Sequence, residues 1–211
     1  MSDKPLKNAT LYYIHDPMCS WCWGFKPVFE QLKRGLPAEI KLVYLLGGLA
    51  ADNNSPMPDS MKSKIISTWQ HIQETIPGTE FNYDFWETNI PKRSTYPSCR
   101  AVLAAAKQNN NKSFAMISAI QEAYYLNAQN PSDINVLKDL ANKIGLNPQE
   151  FNDDIESEEI NIELIKEISR ARKIGADSFP SLVISKNDTF YPIALDYNHA
   201  DIILNHIESL I

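Results

Sequence analysis

The sequence predicts an α/β fold interrupted by a long helical block. Three patterns predict it. Residues 11–46 run strand-like, helix-like and strand-like again; residues 59–155 carry only helical periodicity; and two short β-branched runs return at residues 181–194. The chain has 211 residues, 44% of them hydrophobic, which is enough to bury a sizeable core. Twenty Lys and Arg stand against 26 Asp and Glu, a net charge of −6, so the basic footprint of a sequence-independent nucleic-acid binder is missing. Three cysteines are too few, and odd in number, for a disulfide-stapled scaffold.

Residues 1–8 are polar and charged, unlike a secretory signal, and no apolar stretch approaches the ~20 residues of a membrane span. The expectation is a soluble protein of the reducing cytoplasm, with no membrane or nucleic-acid partner. Leu11-Tyr12-Tyr13-Ile14-His15 reads as a strand stopped by Asp16-Pro17. The following helix places Phe25, Phe29 and Leu32 on one face, contains Pro27, which should kink it, and stops at Gly35. Residues 40–46 are nearly all apolar, as in a strand buried on both faces of a parallel sheet, which completes a βαβ unit.

Met61, Ile65, Trp69, Ile72 and Ile76 make the first stripe of the helical block, and residues 81–95 read as a long aromatic loop. Residues 98–108, 113–128 and 133–144 are further helices, the first stopped by Asn109-Asn110-Asn111. Asn147-Pro148-Gln149-Glu150 opens another with an N-cap, a proline at the first position and a glutamate three residues on. Residues 160–174 form a helix whose acidic start and basic finish complement its dipole, ended by Gly175. A hairpin follows, with its turn at Lys186-Asn187-Asp188 and Pro192 marking the second strand as an edge; Asn198 then caps a final helix. The expected division is residues 1–50 and 156–211 as one α/β unit and residues 51–155 as a helical insertion.

Cys19 and Cys22 fall between the first strand and its helix. Unpaired N–H groups and the partial positive charge of a helix N-terminus stabilise a thiolate on the first cysteine. The second sulfur, one turn on, can attack a mixed disulfide formed on the first. This assigns Cys19 as nucleophile and Cys22 as resolving thiol, with Trp21 exposed between them. A zinc site is disfavoured because only Cys99, His15, His71, His199 and His206 remain as soft ligands, without paired spacing; two buried structural cysteines are the other bland alternative. His15, four residues before Cys19, is a candidate to tune the thiolate or shuttle its proton, or simply a hydrogen-bonded structural histidine. Phe179-Pro180 precedes a strand, where a proline marks either a plain boundary or a cis turn beside the cysteines.

Strand, Cys-x-x-Cys, proline-containing helix, strand, helical block, helix, proline, hairpin and helix together resemble the thioredoxin fold across essentially the whole chain. The large all-helical insertion resembles that of its DsbA-like branch. His15-Asp16-Pro17-Met18-Cys19-Ser20-Trp21-Cys22-Trp23-Gly24-Phe25 and Tyr96-Pro97-Ser98-Cys99-Arg100-Ala101 are similar to the predicted cytoplasmic protein-disulfide isomerases of that branch, which are FrnE-related. The resemblance implies a thiol–disulfide oxidoreductase without a bound cofactor, working through a Cys19–Cys22 disulfide. It also implies Pro180 as a cis-proline whose neighbouring backbone, at Phe179, positions substrate, and Cys99 on the insertion facing the site. Disulfide-containing proteins or small thiols would be substrates, with glutathione a candidate electron donor. Ser-Trp between the cysteines, in place of the Pro-His of the oxidant DsbA, supplies no imidazolium, and Asp16 lies close; both favour reductase or isomerase work over net oxidation. Two alternatives stay open: a glutathione-dependent transferase or isomerase, although that branch uses serine where Cys19 stands, and a non-catalytic chaperone or binding module. Trp69, Phe81, Phe85, Trp86 and Tyr96 are candidates to line a groove beside the site.

Overall fold

A computed structural model of the chain describes residues 9–211; the polar segment read as lacking a signal, residues 1–8, lies outside the described residues. Strand β1 (Thr10–His15), helix α1 (Ser20–Gly35) and strand β2 (Lys41–Leu46) form the expected βαβ unit, with β1 and β2 parallel from Thr10↔Lys41 to His15↔Leu46. Helices α2 (Asp59–Thr75), α3 (Phe85–Thr88), α4 (Tyr96–Gln108), α5 (Asn110–Tyr125), α6 (Ile134–Lys143) and α7 (Pro148–Ile155) make the helical insertion. Helix α8 (Glu158–Lys173), strands β3 (Ser181–Lys186) and β4 (Thr189–Ile193) and helix α9 (Ala200–Leu210) close the fold. The four strands are ordered β2-β1-β3-β4, with β3 antiparallel to both neighbours. This is a thioredoxin fold with a DsbA-like helical insertion.

Period-2 alternation in β1 divides the core. Leu11 and Tyr13 pack with Phe25, Phe29 and Leu32 of α1 and with Ile203 and Ile207 of α9. Tyr12 and Ile14 face the other way, toward Ala171 of α8 and Val183. Helix α8 also gives Leu164 and Ile168 to the insertion's own core, so one helix serves both the sheet and the insertion.

Four expectations are corrected. β2 is an edge strand, half-buried along most of its length, because the sheet ends there and Phe114 of α5 covers only part of it, edge-on to Tyr44 at 4.8 Å. Helix α4 stops at Gln108 as expected, but α5 starts at Asn110 and not at residue 113: the Asn109 side chain accepts the Asn111 N–H and caps α5 directly, so α4 and α5 form a tight helical hairpin. The aromatic loop of residues 81–95 contains the short helix α3. The cap of α9 falls one residue later than expected, at His199, and the carboxylate of Asp196 accepts the N–H groups of Asn198 and His199. Other local signals hold. Asn147 accepts the N–H groups of Gln149 and Glu150, and Asn187 and Asp188, with φ of 50° and 61°, make the tight β3–β4 turn.

Gly48 sits where β2 leaves the sheet for the insertion. Its φ is +62°, and a Cβ there would stand 2.4 Å from Ile168 and 2.8 Å from Tyr96. Gly48→Ala should therefore destabilise the fold by about 1–3 kcal/mol through backbone strain and overpacking, seen as a lower urea midpoint with an unchanged slope.

Candidate active site

β1 ends at His15, and the carboxylate of Asp16 turns the chain into α1 by accepting the Met18 N–H at 2.8 Å. Cys19 is the N-cap of α1: its sulfur accepts the Cys22 N–H at 3.3 Å, using one of the helix's unpaired donors. The same thiol donates to the Phe179 carbonyl at 3.4 Å, so the loop before β3 lies directly on the nucleophile candidate. The Phe179–Pro180 bond is cis. Gly47 makes room for this loop: a Cβ at that position would stand 1.9 Å from the Phe179 ring.

All three cysteines are free thiols; Cys19 is 4% exposed and Cys22 1%. Burial pushes the Cys22 thiol well above its ordinary range, with contact to Cys19 and the Asp16 charge adding to it. Cys22 is thus a thiol at neutral pH and must lose a proton to react. Trp21 is not the exposed residue expected between the sulfurs: it is half-buried, 5.0 Å from the Tyr197 ring and 5.7 Å from the His71 ring. His15 is buried, stacked on Tyr13 at 5.1 Å, and desolvation lowers its pKa to about 4. A neutral imidazole cannot support the thiolate by charge. Cys99 is buried on α4, its thiol donating to Asp16 Oδ2 at 3.5 Å, and burial with that carboxylate pushes it well up.

The expected aromatic groove is mostly core. Trp69, Phe85 and Trp86 are buried together, and Phe81 stacks on Trp69 at 4.7 Å. Trp69 nevertheless reaches the motif, its indole N–H donating to the Ser20 hydroxyl at 2.8 Å.

Two acids matter here: Asp16, which the sequence marked only as a charge close to Cys19, and Glu167, which escaped the sequence reading. Asp16 Oδ2 accepts the Leu49 N–H at 2.7 Å and the Thr95 hydroxyl at 2.6 Å. Glu167 of α8 accepts the Leu46 N–H at 2.7 Å, and burial raises its pKa to about 7. Its position on the buried stripe beside Leu164 and Ile168 was the available signal.

A family model described as thioredoxin matches residues 12–196. The chain belongs to the thioredoxin family. Among solved structures, a candidate protein disulfide isomerase from Nitrosomonas europaea superposes with a TM-score of 0.82 at 28% identity, over 96% of this chain and 97% of that one. The cytosolic disulfide reductase DsbM from Pseudomonas aeruginosa gives 0.75 at 21% identity, over 95% and 98%, and has been solved with glutathione; this likeness is one of fold. Among curated proteins, the ClpXP adapter protein SpxH of Halalkalibacterium halodurans is 26% identical over 85% of this chain and 60% of its own length. SpxH of Bacillus subtilis is 25% identical over 82% and 56%. The chain thus spans somewhat over half the length of the curated relatives it matches. Fold and family are those of thiol–disulfide oxidoreductases. No helix among the described residues is long and apolar enough to cross a membrane.

Glu167 binds its proton more tightly folded than unfolded between its ordinary pKa and about 7, so its contribution to stability falls as pH rises through that window. Glu167→Gln removes the term. The stability of the variant relative to the parent should therefore rise from pH 5 to pH 8, measured by urea unfolding at each pH.

Proposed function

We propose that this chain reduces or isomerises disulfides of proteins or small molecules through its Cys-Ser-Trp-Cys motif. The observation that carries the reading is the placement of the Cys19 sulfur at the α1 N-cap, between the Cys22 N–H and the Phe179 carbonyl. The Cys19 thiolate attacks a substrate disulfide, one substrate sulfur leaves as thiolate, and a mixed disulfide forms. Cys22 then attacks the Cys19 sulfur, so the Cys19–Cys22 disulfide forms and the substrate departs as a dithiol carrying two electrons. The backbone at Phe179 and Pro180 receives the extended substrate by strand-like pairing, with Trp21 at its flank. A thiol such as glutathione returns the electrons, in the reducing cytoplasm. The glutathione complex and the cytosolic description of DsbM support this donor and this location.

A second reading, a binding module that retains the motif, is favoured by the adapter description of the SpxH relatives. It requires client binding that survives Cys19→Ser.

Cys22→Ser should accumulate a mixed disulfide on Cys19 with a model disulfide peptide, visible by non-reducing mass spectrometry. Cys19→Ser should lower insulin reduction by at least about a hundredfold, while Cys99→Ser stays within about twofold of the parent. An undiminished Cys19→Ser enzyme would overturn the proposal.

A further inference from the structure

The Ser20 hydroxyl, one residue from Cys19, makes a single hydrogen bond among the described residues: its oxygen accepts the Trp69 indole N–H at 2.8 Å. Trp69 is fully buried, stacked on Phe81 at 4.7 Å and set against Trp86 at 5.0 Å and Tyr124 at 5.6 Å. A buried indole N–H requires a partner, and Ser20 is the one it has. The Ser20 oxygen is therefore held from the insertion side by a ring locked in its own core. The hydroxyl hydrogen is left over. A hydroxyl that accepts one bond still has a proton to donate, and this one meets no acceptor among the described residues. The buried Tyr125 hydroxyl, on the same side of the motif, is without a partner too and so does not take it. Ser20 is only partly buried, so this free donor is open to an arriving substrate.

We infer that the Ser20 hydroxyl donates to the substrate sulfur that departs when Cys19 attacks, and that Trp69 positions it. The inference rests on the reading of Cys19 as the nucleophile. As the Cys19 thiolate forms its bond to one substrate sulfur, the substrate S–S bond breaks and the other sulfur takes the electron pair. The Cys22 N–H is committed to the Cys19 sulfur, so charge building on the departing sulfur calls for a second donor. A donor fixed in advance stabilises developing charge without reorganising at the moment of reaction. Accepting the indole N–H also polarises the Ser20 O–H, which strengthens it as a donor. Ser20 keeps its proton throughout, and the departing thiolate takes one from bulk water afterwards. Ser20 is a catalytic residue here and Trp69 a positioning residue, which gives insertion helix α2 a part in the first chemical step.

The test is the rate of mixed-disulfide formation in the full chain carrying Cys22→Ser, where the second step is blocked. Two probes are compared. Hydroxyethyl disulfide releases a weakly acidic alkyl thiol, whereas dithiobis(nitrobenzoate) releases an aryl thiolate that is stable without help. Added to that background, Ser20→Ala should slow the alkyl probe about tenfold and the aryl probe by less than about twofold. Ser20→Thr, which keeps the hydroxyl, should leave both rates within about threefold of the background. Trp69→Phe keeps a ring and removes the N–H. It should slow the alkyl probe selectively, and combined with Ser20→Ala it should cost no more than Ser20→Ala alone. A purely structural role for either residue would slow both probes alike. Equal slowing of the two probes, an alkyl rate unchanged by Ser20→Ala, or no rescue by Ser20→Thr would each overturn the inference. If Trp69→Phe does not fold, the two Ser20 variants decide. Failure of the underlying reading looks different: the Cys22→Ser chain would then form no mixed disulfide on Cys19 with either probe.

Discussion

The Asp16 carboxylate gathers four donors from three separate pieces of chain to one point. It accepts the N–H of Met18 at the start of α1, the N–H of Leu49 after β2 and the hydroxyl of Thr95 before α4, and it receives the Cys99 thiol at longer range. The group is fully buried; burial raises its pKa while these donors pull it down. Such a carboxylate is tolerated only when its lone pairs are met, and the Met18 and Leu49 N–H groups would in turn be orphaned without it. The turn that presents Cys19, the loop that leaves the edge strand and the first turn of the insertion helix therefore depend on one another. The backbone around the sulfurs cannot shift without breaking a bond to Asp16.

The insertion consequently acts as a wall of the site rather than an appendage. Trp69 holds Ser20 inside the Cys-x-x-Cys turn, Tyr125 stacks on Trp23 at 5.4 Å, and the Lys26 ammonium donates to the Ser118 hydroxyl at 3.2 Å. On the opposite side Phe25, Tyr13 and Tyr197 hold the same helix against the sheet. The first turns of α1 are gripped by two cores at once, which keeps the N-cap geometry of Cys19 fixed while the Phe179 loop lies across it.

Local patterns carried much of this. The βαβ unit, the helical stripes, the Asn147 cap and the Cys-x-x-Cys at a helix start depend on residues near one another in sequence, and they were legible there. What was illegible depends on distant partners. Asp16 meets Leu49 and Thr95 across 33 and 79 residues, and Glu167 meets Leu46 across 121, so neither acid announces its role by spacing. The apolar run of β2 predicted a strand buried on both faces, but strand number and the placement of α5 decided its burial. Trp21 and the insertion aromatics were ambiguous because a large ring in an irregular stretch suits a groove wall and a core equally well. The Asn198 and Asp196 pair shows the finer limit: two good capping residues stood two and four positions before the helix start at Ala200, and only the backbone path set the Asp196 carboxylate on the Asn198 and His199 N–H groups.

The charges around the sulfurs bear on the direction of electron flow. A dithiol is a strong oxidant when its reduced form is stabilised, which positive charge beside a thiolate accomplishes. Here the nearby histidine is neutral, with a pKa of about 4; the Asp16 carboxylate faces both Cys22 and Cys99, and at Cys99 the Glu167 carboxylate adds to it while the Arg100 guanidinium opposes both. Burial and the Asp16 charge penalise a thiolate at Cys22 and outweigh the Asp16 backbone hydrogen bond that favours it, while the α1 N-terminus is aimed at Cys19. A pair arranged in this way gains little from remaining reduced as a thiolate. That balance supports the proposed delivery of electrons to disulfides over their withdrawal, and it makes disposal of the Cys22 proton a step the protein must provide for.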